Sequence, residues 1–337
     1  MKAALIGLGM VSATYGDAFS NSRTVKLARV HSRSPERRAA FLSTWPGLGA
    51  TAADSVAAIA EDPDIDFVIL TTPPNGRVDI VEALVAAGKP ILMEKPVERT
   101  LAAATRLVEH CEGANIPLGI VLQHRARPVA ADLRALAPGL GDLLAVEINV
   151  PWWRPQAYYD EPGRGTYDRD GGGVLISQAI HTLDLALSLA GPVAGPVASV
   201  TAMASTTGFH RMEAEDFVSA GLVFKSGAVG QLFASTASFP GRGETITFHH
   251  RDGTAHLEAG LLRIDRQDAT STLHGASTAS GAGADPMAFT SDWHRSVIED
   301  FAESLRTGRP PLVPGRAALA VHRLIAALEA SARAGVR

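Results

Sequence analysis

The chain opens with MKAALIGLGMVSATYG, residues 1–16, and this stretch decides the fold. It has two interpretations. One is an export signal, in which a lysine and a short apolar run precede cleavage after Ala13. The other is a strand that ends in Gly7-x-Gly9-x-x-Ser12, a pattern typical of a dinucleotide-binding turn when a helix and further strand–helix units follow. The rest of the chain decides between them.

Composition excludes several classes of protein. A chain of 337 residues is long enough for two domains. Its net charge of -4 offers no basic field for a nucleic acid, and no apolar run approaches the ~20 residues that a bilayer requires. The single cysteine, Cys111, cannot close an intrachain disulfide, which weighs against an oxidising compartment. We therefore expect a globular cytoplasmic protein without nucleic-acid or membrane partners.

The first 123 residues alternate short apolar runs with helix-like segments. Continuous apolar runs separated by helices predict a parallel sheet covered on both faces, which is a doubly wound α/β domain. Cleavage after Ala13 would delete the first, central strand of this sheet, so the pattern favours the cofactor turn over the export signal. The runs are 3–9, 25–32, 66–73, 90–96 and 117–123, and the expected helices are 12–21, 35–44, 76–88 and 98–114.

A second domain is expected over 124–337, following the α/β domain over 1–123. Its strand-like runs succeed one another without intervening helices, which predicts an α+β domain with a large, mainly antiparallel sheet. One helix is expected over 171–191, ended by Gly191-Pro192, and two more close the chain. The strand-like runs are 143–153, 197–205, 216–224, 227–235, 244–250, 254–259 and 261–266, and the closing helices are about 290–307 and 315–334.

The cofactor preference depends on HSRS, residues 31–34. An acidic residue that would bond the adenosine ribose is expected here, and it is missing. The Ser32 hydroxyl and the Arg33 guanidinium suit a 2'-phosphate, which a carboxylate would repel. NADP is therefore favoured over NAD. The alternative is that Arg33 is a solvated arginine at the end of a strand, since two further arginines follow it at 37 and 38.

Four motifs in order resemble the glucose-fructose oxidoreductase / inositol dehydrogenase / rhizopine-catabolism (Gfo/Idh/MocA) family: the Gly-x-Gly turn, TTPPN (71–75), EKP (94–96) and GGGVLISQAIHTLD (171–184). The resemblance implies an N-terminal Rossmann domain and NAD(P)-dependent oxidation or reduction of sugars, inositols or related polyols. It also implies a homo-oligomer, a dimer or tetramer formed through the C-terminal sheet. The expected cofactor-binding residues are Gly7, Gly9, Met10, Val11, Ser32, Arg33, Thr72, Pro73, Asn75, Glu94, Lys95 and Gln123, although Gln123 could equally belong to an ordinary polar cluster at the end of a strand.

The resemblance implies that Lys95 and His181 handle the proton of a carbinol or carbonyl, as catalytic residues. His181 shares one helix face with Ser177 and Asp184, and Asp184 is expected to hold the imidazole and fix its tautomer. Two positions depart from the family pattern. Ser177 stands where inositol dehydrogenases usually have Asp, and Arg77 stands where the family often has His. Either change indicates an altered substrate or decayed activity.

The loop over 152–173 concentrates tryptophans, tyrosines and arginines. Aromatic faces cover sugar rings, and arginines bind carboxylates or phosphates, so the loop indicates substrate recognition. A subunit interface is the alternative, because interfaces are enriched in the same residue types. The expected substrate contacts are Trp153, Arg154, Tyr159 and Arg164, together with Ser177 and His181.

Three hypotheses about function remain open. The leading one is an NADP-preferring sugar or polyol oxidoreductase. The second is a dehydrogenase or reductase of a nucleotide-sugar or uronate-type substrate, and the third is a non-catalytic regulator that senses the dinucleotide. No metal is expected, because the remaining histidines lack metal-site spacing.

Overall fold

The computed structural model describes residues 1–278, 283, 285 and 289–335. Its first sheet contains β1 (Lys2–Ile6), β2 (Lys26–His31), β3 (Thr51–Ala52), β4 (Phe67–Leu70), β5 (Ile91–Glu94) and β6 (Leu118–Val121). The strands are parallel, in the order β3-β2-β1-β4-β5-β6. Ala3, Ala4 and Leu5 of β1 are fully buried, so the opening residues form the centre of the sheet. The predicted doubly wound fold is confirmed.

Helices α1 (Ser12–Asn21), α2 (Pro35–Thr44), α3 (Val56–Ala60), α4 (Val78–Ala86) and α5 (Leu101–Gly113) connect these strands. Helix α2 begins where its sequence signals place it: the Ser34 hydroxyl accepts a hydrogen bond from the Arg37 N–H (3.2 Å), and Pro35 is the first helical residue. Strand β3 and helix α3 are too short to leave a periodic pattern, and the sequence did not predict them.

The second sheet contains β7 (Leu143–Pro151), β8 (Val197–Ser205), β9 (Phe217–Phe224), β10 (Val229–Ser235), β11 (Thr245–His250), β12 (Gly253–Glu258), β13 (Leu261–Arg266) and β14 (Ser271–Gly275). Its order is β14-β13-β12-β11-β7-β10-β9-β8, and β7 with β10 is its one parallel pair among the described strands. The large, mainly antiparallel sheet is therefore confirmed. Along β9, Val218, Ala220 and Leu222 are buried while Ser219 and Val223 are exposed, so one face of the sheet is open.

Helices α6 (Pro128–Leu136), α7 (Gln156–Tyr159) and α8 (Ile180–Ala194) follow in chain order, then α9 (Asp292–Thr307) and α10 (Gly315–Gly335). A π-helical turn over Leu175–Ala179 leads directly into α8. The predicted end of α8 at Gly191-Pro192 is wrong. Pro192 lies in the last turn, and the helix ends at Gly195, which adopts a left-handed φ of 71° and donates to the Gly191 carbonyl (2.9 Å). In the described part of the chain, no helix combines the length and hydrophobicity needed to cross a membrane.

The chain divides into two compact units, 1–123 with 291–319 and 124–290 with 320 onward. The sequence-based division assigned 291–319 to the second domain. In the structure, α9 packs on α1 and β6 of the first unit. The Phe301 ring lies 5.3 Å from that of Phe67, and it fills the space that a side chain at Gly119 would need. The apolar face of α9 therefore completes the first core.

Candidate active site

The Gly7 turn lies where β1 and β4 end. Gly7 has a φ of 105°, and its N–H donates to the His31 carbonyl (2.9 Å). A Cβ at Gly7 would lie 2.8 Å from the Thr72 nitrogen, and the Thr71 hydroxyl donates to the Gly7 carbonyl (2.5 Å). Both the backbone conformation and the close approach therefore require glycine at this position.

The start of α1 suits a phosphate group. The helix follows Val11 with no side chain capping its N-terminus and no acidic residue in its first turn. The Ser12 hydroxyl donates to the Gly9 carbonyl (2.6 Å), Met10 is exposed, and a Cβ at Gly9 would meet no atom within 4 Å. Uncapped N–H groups at a helix N-terminus bind anions, so these residues fit a dinucleotide pyrophosphate.

Ser32 and Arg33 lie directly after β2. Ser32 is half-buried, its hydroxyl accepts from the Ser34 N–H (3.4 Å), and its carbonyl accepts from Arg38 (2.5 Å). Arg33 is exposed. The turn therefore presents a hydroxyl and an exposed guanidinium at the carboxyl end of the strand next to β1.

Glu94 fixes the turn that carries Lys95. Its buried carboxylate accepts from the Tyr15 hydroxyl of α1 (2.8 Å) and from the Lys95 backbone N–H (3.1 Å). His294 of α9 lies 3.8 Å from the same carboxylate and packs edge-on against Tyr15. Burial raises the pKa of Glu94, while Lys95 and Tyr15 oppose this shift. Burial, assisted by Lys95, lowers the pKa of His294 to about 3, so this imidazole is neutral.

Arg77 joins the TTPPN turn to the EKP turn. The guanidinium is buried and donates to the carbonyls of Thr72 (2.8 Å), Glu94 (2.6 Å) and Pro96. Burial lowers the pKa of Arg77 to about 10, with Glu94 opposing the shift, so the side chain is charged at neutral pH. Arg77, which departs from the family pattern, therefore clamps the two turns together at the carboxyl edge of the sheet.

Four further predicted cofactor residues lie after strands of the first sheet. Pro73 and Asn75 are exposed between β4 and α4, whereas Thr72 is half-buried. Gln123 is buried two residues after β6. Together with the Gly7 and Lys95 turns, these residues occupy the edge at which open α/β sheets bind ligands.

In the second unit, His181 is buried in the first turn of α8, and Ser177 is half-buried in the π-helical turn before it. The predicted contact between Asp184 and His181 is wrong. Both Asp184 oxygens accept from Arg125 (2.6 and 2.7 Å), which forms a bidentate ion pair. Burial raises the pKa of Asp184 and Arg125 opposes the rise. Arg125 had no local signal as a partner, because it lies 59 residues away along the chain.

His124 is the aromatic neighbour of His181. The two ring centroids are 5.1 Å apart, with the planes tilted by 35°. The His124 Nε2 contacts Arg127 (2.7 Å), whose guanidinium also pairs with the buried Glu244 carboxylate (2.5 Å). The Trp152 indole donates to the other oxygen of Glu244 (3.3 Å). The sequence analysis did not predict this buried network, because its members lie far apart along the chain.

Glu215 anchors the glycine-rich start of the His181 segment. Its carboxylate accepts from the backbone N–H groups of Gly173 (3.2 Å) and Leu175 (3.1 Å). A Cβ at Gly173 would lie only 1.8 Å from the Glu215 carbonyl oxygen. Burial raises the pKa of Glu215 to about 7, although its backbone hydrogen bonds oppose the shift. The third glycine of GGG therefore permits a backbone contact that no other residue allows.

Two of the predicted substrate contacts are interior residues. The Tyr159 hydroxyl is buried and hydrogen bonds to Thr236 (2.7 Å). Arg154 is also buried, and it donates to the carbonyls of Trp153 (2.8 Å) and Gly283 (2.6 Å). The role of Tyr159 and Arg154 in substrate recognition stays a prediction, and the polar atoms described here bond to Thr236 and to backbone carbonyls.

Tyr158 links the loop to the π-helical turn. Its hydroxyl accepts from Arg164 (2.9 Å) and from Gln178 of the π-helical turn (3.3 Å), and the Arg164 guanidinium lies 4.7 Å from its ring centre. Trp153 is half-buried between the exposed rings of Phe209 and Phe239, at 6.1 and 5.3 Å. These contacts of Tyr158 were not predicted, because neighbouring tyrosines in a short helix leave no periodic signal in the sequence.

A buried ion pair supports the same loop. The His210 Nε2 contacts the Arg154 carbonyl (2.8 Å) and its Nδ1 contacts the Asp216 carboxylate (2.7 Å). Neither partner can donate, so both ring nitrogens carry protons and His210 is an imidazolium. Burial opposes this charge, but the bonds to Asp216 and to the carbonyl raise the pKa of His210. Burial likewise opposes ionisation of Asp216, but its hydrogen bonds to His210 and Thr207 lower its pKa.

The first unit has the strand order and glycine turn of a Rossmann domain, and an anion-accepting helix start lies beside a lysine-bearing turn. These features define a nicotinamide-dinucleotide oxidoreductase. Residues 1–120 match the oxidoreductase family with an NAD-binding Rossmann fold, and residues 137–256 match the GFO/IDH/MocA C-terminal domain. The chain belongs to the Gfo/Idh/MocA family of NAD(P)-dependent oxidoreductases, which confirms the expectation from its motifs.

Named relatives cover most of the chain. D-apiose dehydrogenase of Paraburkholderia graminis is 27% identical over 99% of this chain and 88% of its own length. The 1,5-anhydro-D-fructose reductase of Ensifer adhaerens is 28% identical over 83% of this chain and 79% of its own length. The structure of the WlbA dehydrogenase from Bordetella pertussis, in complex with NADH and UDP-GlcNAcA, is 26% identical with a TM-score of 0.82, covering 100% of this chain and 96% of that one.

Proposed function

We propose that this protein is an NADP-preferring dehydrogenase or reductase that acts on a carbinol or carbonyl of a sugar, inositol or related polyol. The observation that carries the proposal is the link between the two turns of the first unit. Arg77 holds the turn after β4 to the turn that bears Lys95, and the turn after β4 also contacts Gly7. A dinucleotide seated on Gly7 and α1 is thereby directed to the edge of the sheet that carries Lys95.

The protein's own groups handle the substrate oxygen and its proton. In the oxidising direction, the carbinol carbon loses a hydride and the hydroxyl loses a proton; reduction reverses both transfers. When bound, the nicotinamide supplies the hydride acceptor or donor. Lys95 donates a hydrogen bond to the substrate oxygen, and the imidazole of His181 takes up or returns the proton. Glu94 holds the Lys95 backbone and keeps the lysine in a fixed turn.

A substrate panel tests this activity. Purified protein is mixed with NADP or NAD and with aldoses, inositols or polyols, and nicotinamide absorbance is followed. We expect Lys95→Ala and His181→Ala to lower kcat by about 10² to 10⁴. The sugar and polyol class is supported by the D-apiose and anhydrofructose relatives. Cofactor binding without turnover on any substrate would contradict the enzymatic proposal and favour a dinucleotide-sensing regulator.

The preference for NADP follows from Ser32 and Arg33. We expect Arg33→Ala to weaken NADP binding while leaving NAD binding unchanged, and Ser32→Asp to reverse the preference, because a carboxylate bonds ribose hydroxyls and repels a 2'-phosphate. Isothermal titration with each cofactor measures both effects. Arg37→Ala, an exposed arginine on α2, is the matched control. An unchanged NADP:NAD ratio in both variants would contradict the assignment.

A nucleotide-sugar or uronate-type substrate is the second candidate, supported by the likeness to WlbA. The loop arginines support it less than the sequence suggested. Arg154 is bonded to backbone carbonyls, and Arg164 is packed on Tyr158. Including UDP-sugars and uronates in the panel distinguishes the two classes: this candidate requires a larger kcat/KM for the charged substrates than for the neutral sugars.

We also propose that the protein is a homo-oligomer, a dimer or tetramer, assembled through the open face of the second sheet. This face carries exposed apolar side chains, including Met203, Val223 and Val229. Light scattering should give a multiple of the 35.3 kDa chain mass, and Val229→Arg should lower it. A wild-type mass of one chain at micromolar concentration would contradict the proposal.

A cytoplasmic location completes the proposal. The stretch that could resemble an export signal is buried as β1, the central strand of the first sheet. Cell fractionation with sequencing of the N-terminus tests this: recovery of a chain that begins after Ala13 would contradict it.

A further inference from the structure

Two buried histidines lie side by side in the second unit, and their surroundings give them different chemistry. The His124 and His181 rings are 5.1 Å apart and both are nearly inaccessible, at 4% and 8% exposure. Adjacent imidazoles compete for a proton, because two charged rings in contact would repel each other. Which of the two rings is able to take a proton therefore depends on their other contacts.

Arg127 determines the state of His124. A guanidinium has only donors, so the 2.7 Å contact between Arg127 Nη2 and His124 Nε2 requires Nε2 to accept. His124 is then neutral, with its proton on Nδ1. Glu244 pairs with the same guanidinium, which also donates to the Ala259 carbonyl (3.2 Å). Protonating His124 would place a hydrogen against Arg127 and break this buried network.

A second ion pair fixes His124 against the helix of His181. Arg125, the next residue in the chain, forms its bidentate bond with Asp184, which lies three residues after His181 on α8. The turn and the helix are thus joined at two adjacent points, one between aromatic rings and one between charges. The Arg125 and Asp184 side chains are only 13% and 1% exposed, so water screens this pair weakly.

We propose that His124 is a positioning residue for His181: Arg127 locks it as the neutral Nδ1–H tautomer, so that of the two adjacent histidines His181 alone exchanges the substrate proton. This inference rests on the proposed function for its consequence in catalysis, whereas the tautomer lock stands independently of any activity. The ion pairs of Arg125 and Arg127 maintain the ring geometry that His181 needs to meet its substrate.

Nitrogen-15 NMR of the full chain labelled at histidine tests the lock, with the His124 signals identified by their absence in His124→Gln. We expect an unprotonated Nε2 and a protonated Nδ1 throughout about pH 5 to 8, the range in which ordinary histidines titrate. Arg127→Met should release the lock and give a titrating His124. A wild-type His124 that carries its proton on Nε2, or that becomes an imidazolium in this range, would overturn the inference, even if Arg127→Met fails to fold.

Kinetics test the positioning role once a substrate is known. We expect His124→Gln, which keeps an acceptor for Arg127 but loses the ring, to lower kcat about 10- to 100-fold with little change in KM or in cofactor affinity. The matched control is His250→Gln, at a buried histidine of β11 whose Nδ1 contacts the Gly141 carbonyl (2.9 Å). An unchanged kcat in His124→Gln would refute positioning. A missing activity in the wild type would instead refute the proposed function and leave the NMR result valid.

Discussion

Replacing Arg77 with methionine should destabilise the first unit more than any surface change. Methionine keeps much of the side-chain volume but removes the donors to three carbonyls, the buried ones of Glu94 and Pro96 and the part-buried one of Thr72. Each buried acceptor left without a partner costs about 1 to 3 kcal/mol of stability. The substitution also removes the cost of burying the guanidinium charge, which offsets part of this loss. We therefore expect the free energy of unfolding to fall by about 3 to 5 kcal/mol.

Guanidinium chloride denaturation, followed by tryptophan fluorescence, measures this loss, and titration with NADPH measures its effect on the cofactor site. Arg77→Lys should fall between wild type and Arg77→Met, because an ammonium keeps the charge but reaches fewer carbonyls. Arg306→Met is the matched control, since this arginine is exposed on α9 and pairs only with Glu303 among the described residues. An Arg77→Met protein with the wild-type denaturation midpoint and the wild-type NADPH affinity would refute the role of Arg77 as a clamp.

Four further substitutions test the geometry. Gly7→Ala should lower the free energy of unfolding by about 1 to 2 kcal/mol for its left-handed φ alone, and it should abolish NADPH binding. Gly9→Ala has space for its Cβ, so it should weaken NADPH binding at unchanged stability. Equal denaturation midpoints for the two variants would contradict this prediction. Gly173→Ala should lower the free energy of unfolding by about 3 kcal/mol or more, because its Cβ would overlap the Glu215 carbonyl oxygen. A wild-type denaturation midpoint would argue against that contact. The pKa of His210 is raised from 6.5 and that of Asp216 is lowered from 3.8, so both groups should stabilise the fold between pH 3.8 and 6.5. The contribution of His210 is lost as pH rises through its raised pKa. The contribution of Asp216 is lost as pH falls through its lowered pKa. The difference in unfolding free energy between wild type and His210→Gln, measured against pH, checks this, and a flat difference would contradict it.

Local sequence signals located the first sheet and its helices well. The bounds of α1 and α2 agree with the predicted 12–21 and 35–44. Apolar runs and capping residues act within a few positions of each other, so a single sequence contains the whole signal. Strand β3 was missed because two residues at the edge of a sheet carry no period.

Contacts between distant residues were not predictable in the same way. Asp184 has two suitable partners, a histidine three residues before it and an arginine far along the chain, and spacing alone favoured the nearer one. The position of Arg77 was noticed as a family departure, but its three carbonyl partners depend on how two turns meet.

The return of residues 291–319 to the first unit has a consequence for biosynthesis. A ribosome that has finished residue 123 must add 196 more before residue 319 is made, which takes roughly 10 to 40 s at ordinary elongation rates. During that interval the nascent nucleotide-binding sheet lacks α9, and the surface that Phe301 will cover is bare. The N-terminal unit of this enzyme is thus the first to begin folding and among the last to finish, and a translation arrest inside the second unit would leave an incomplete core exposed to proteases.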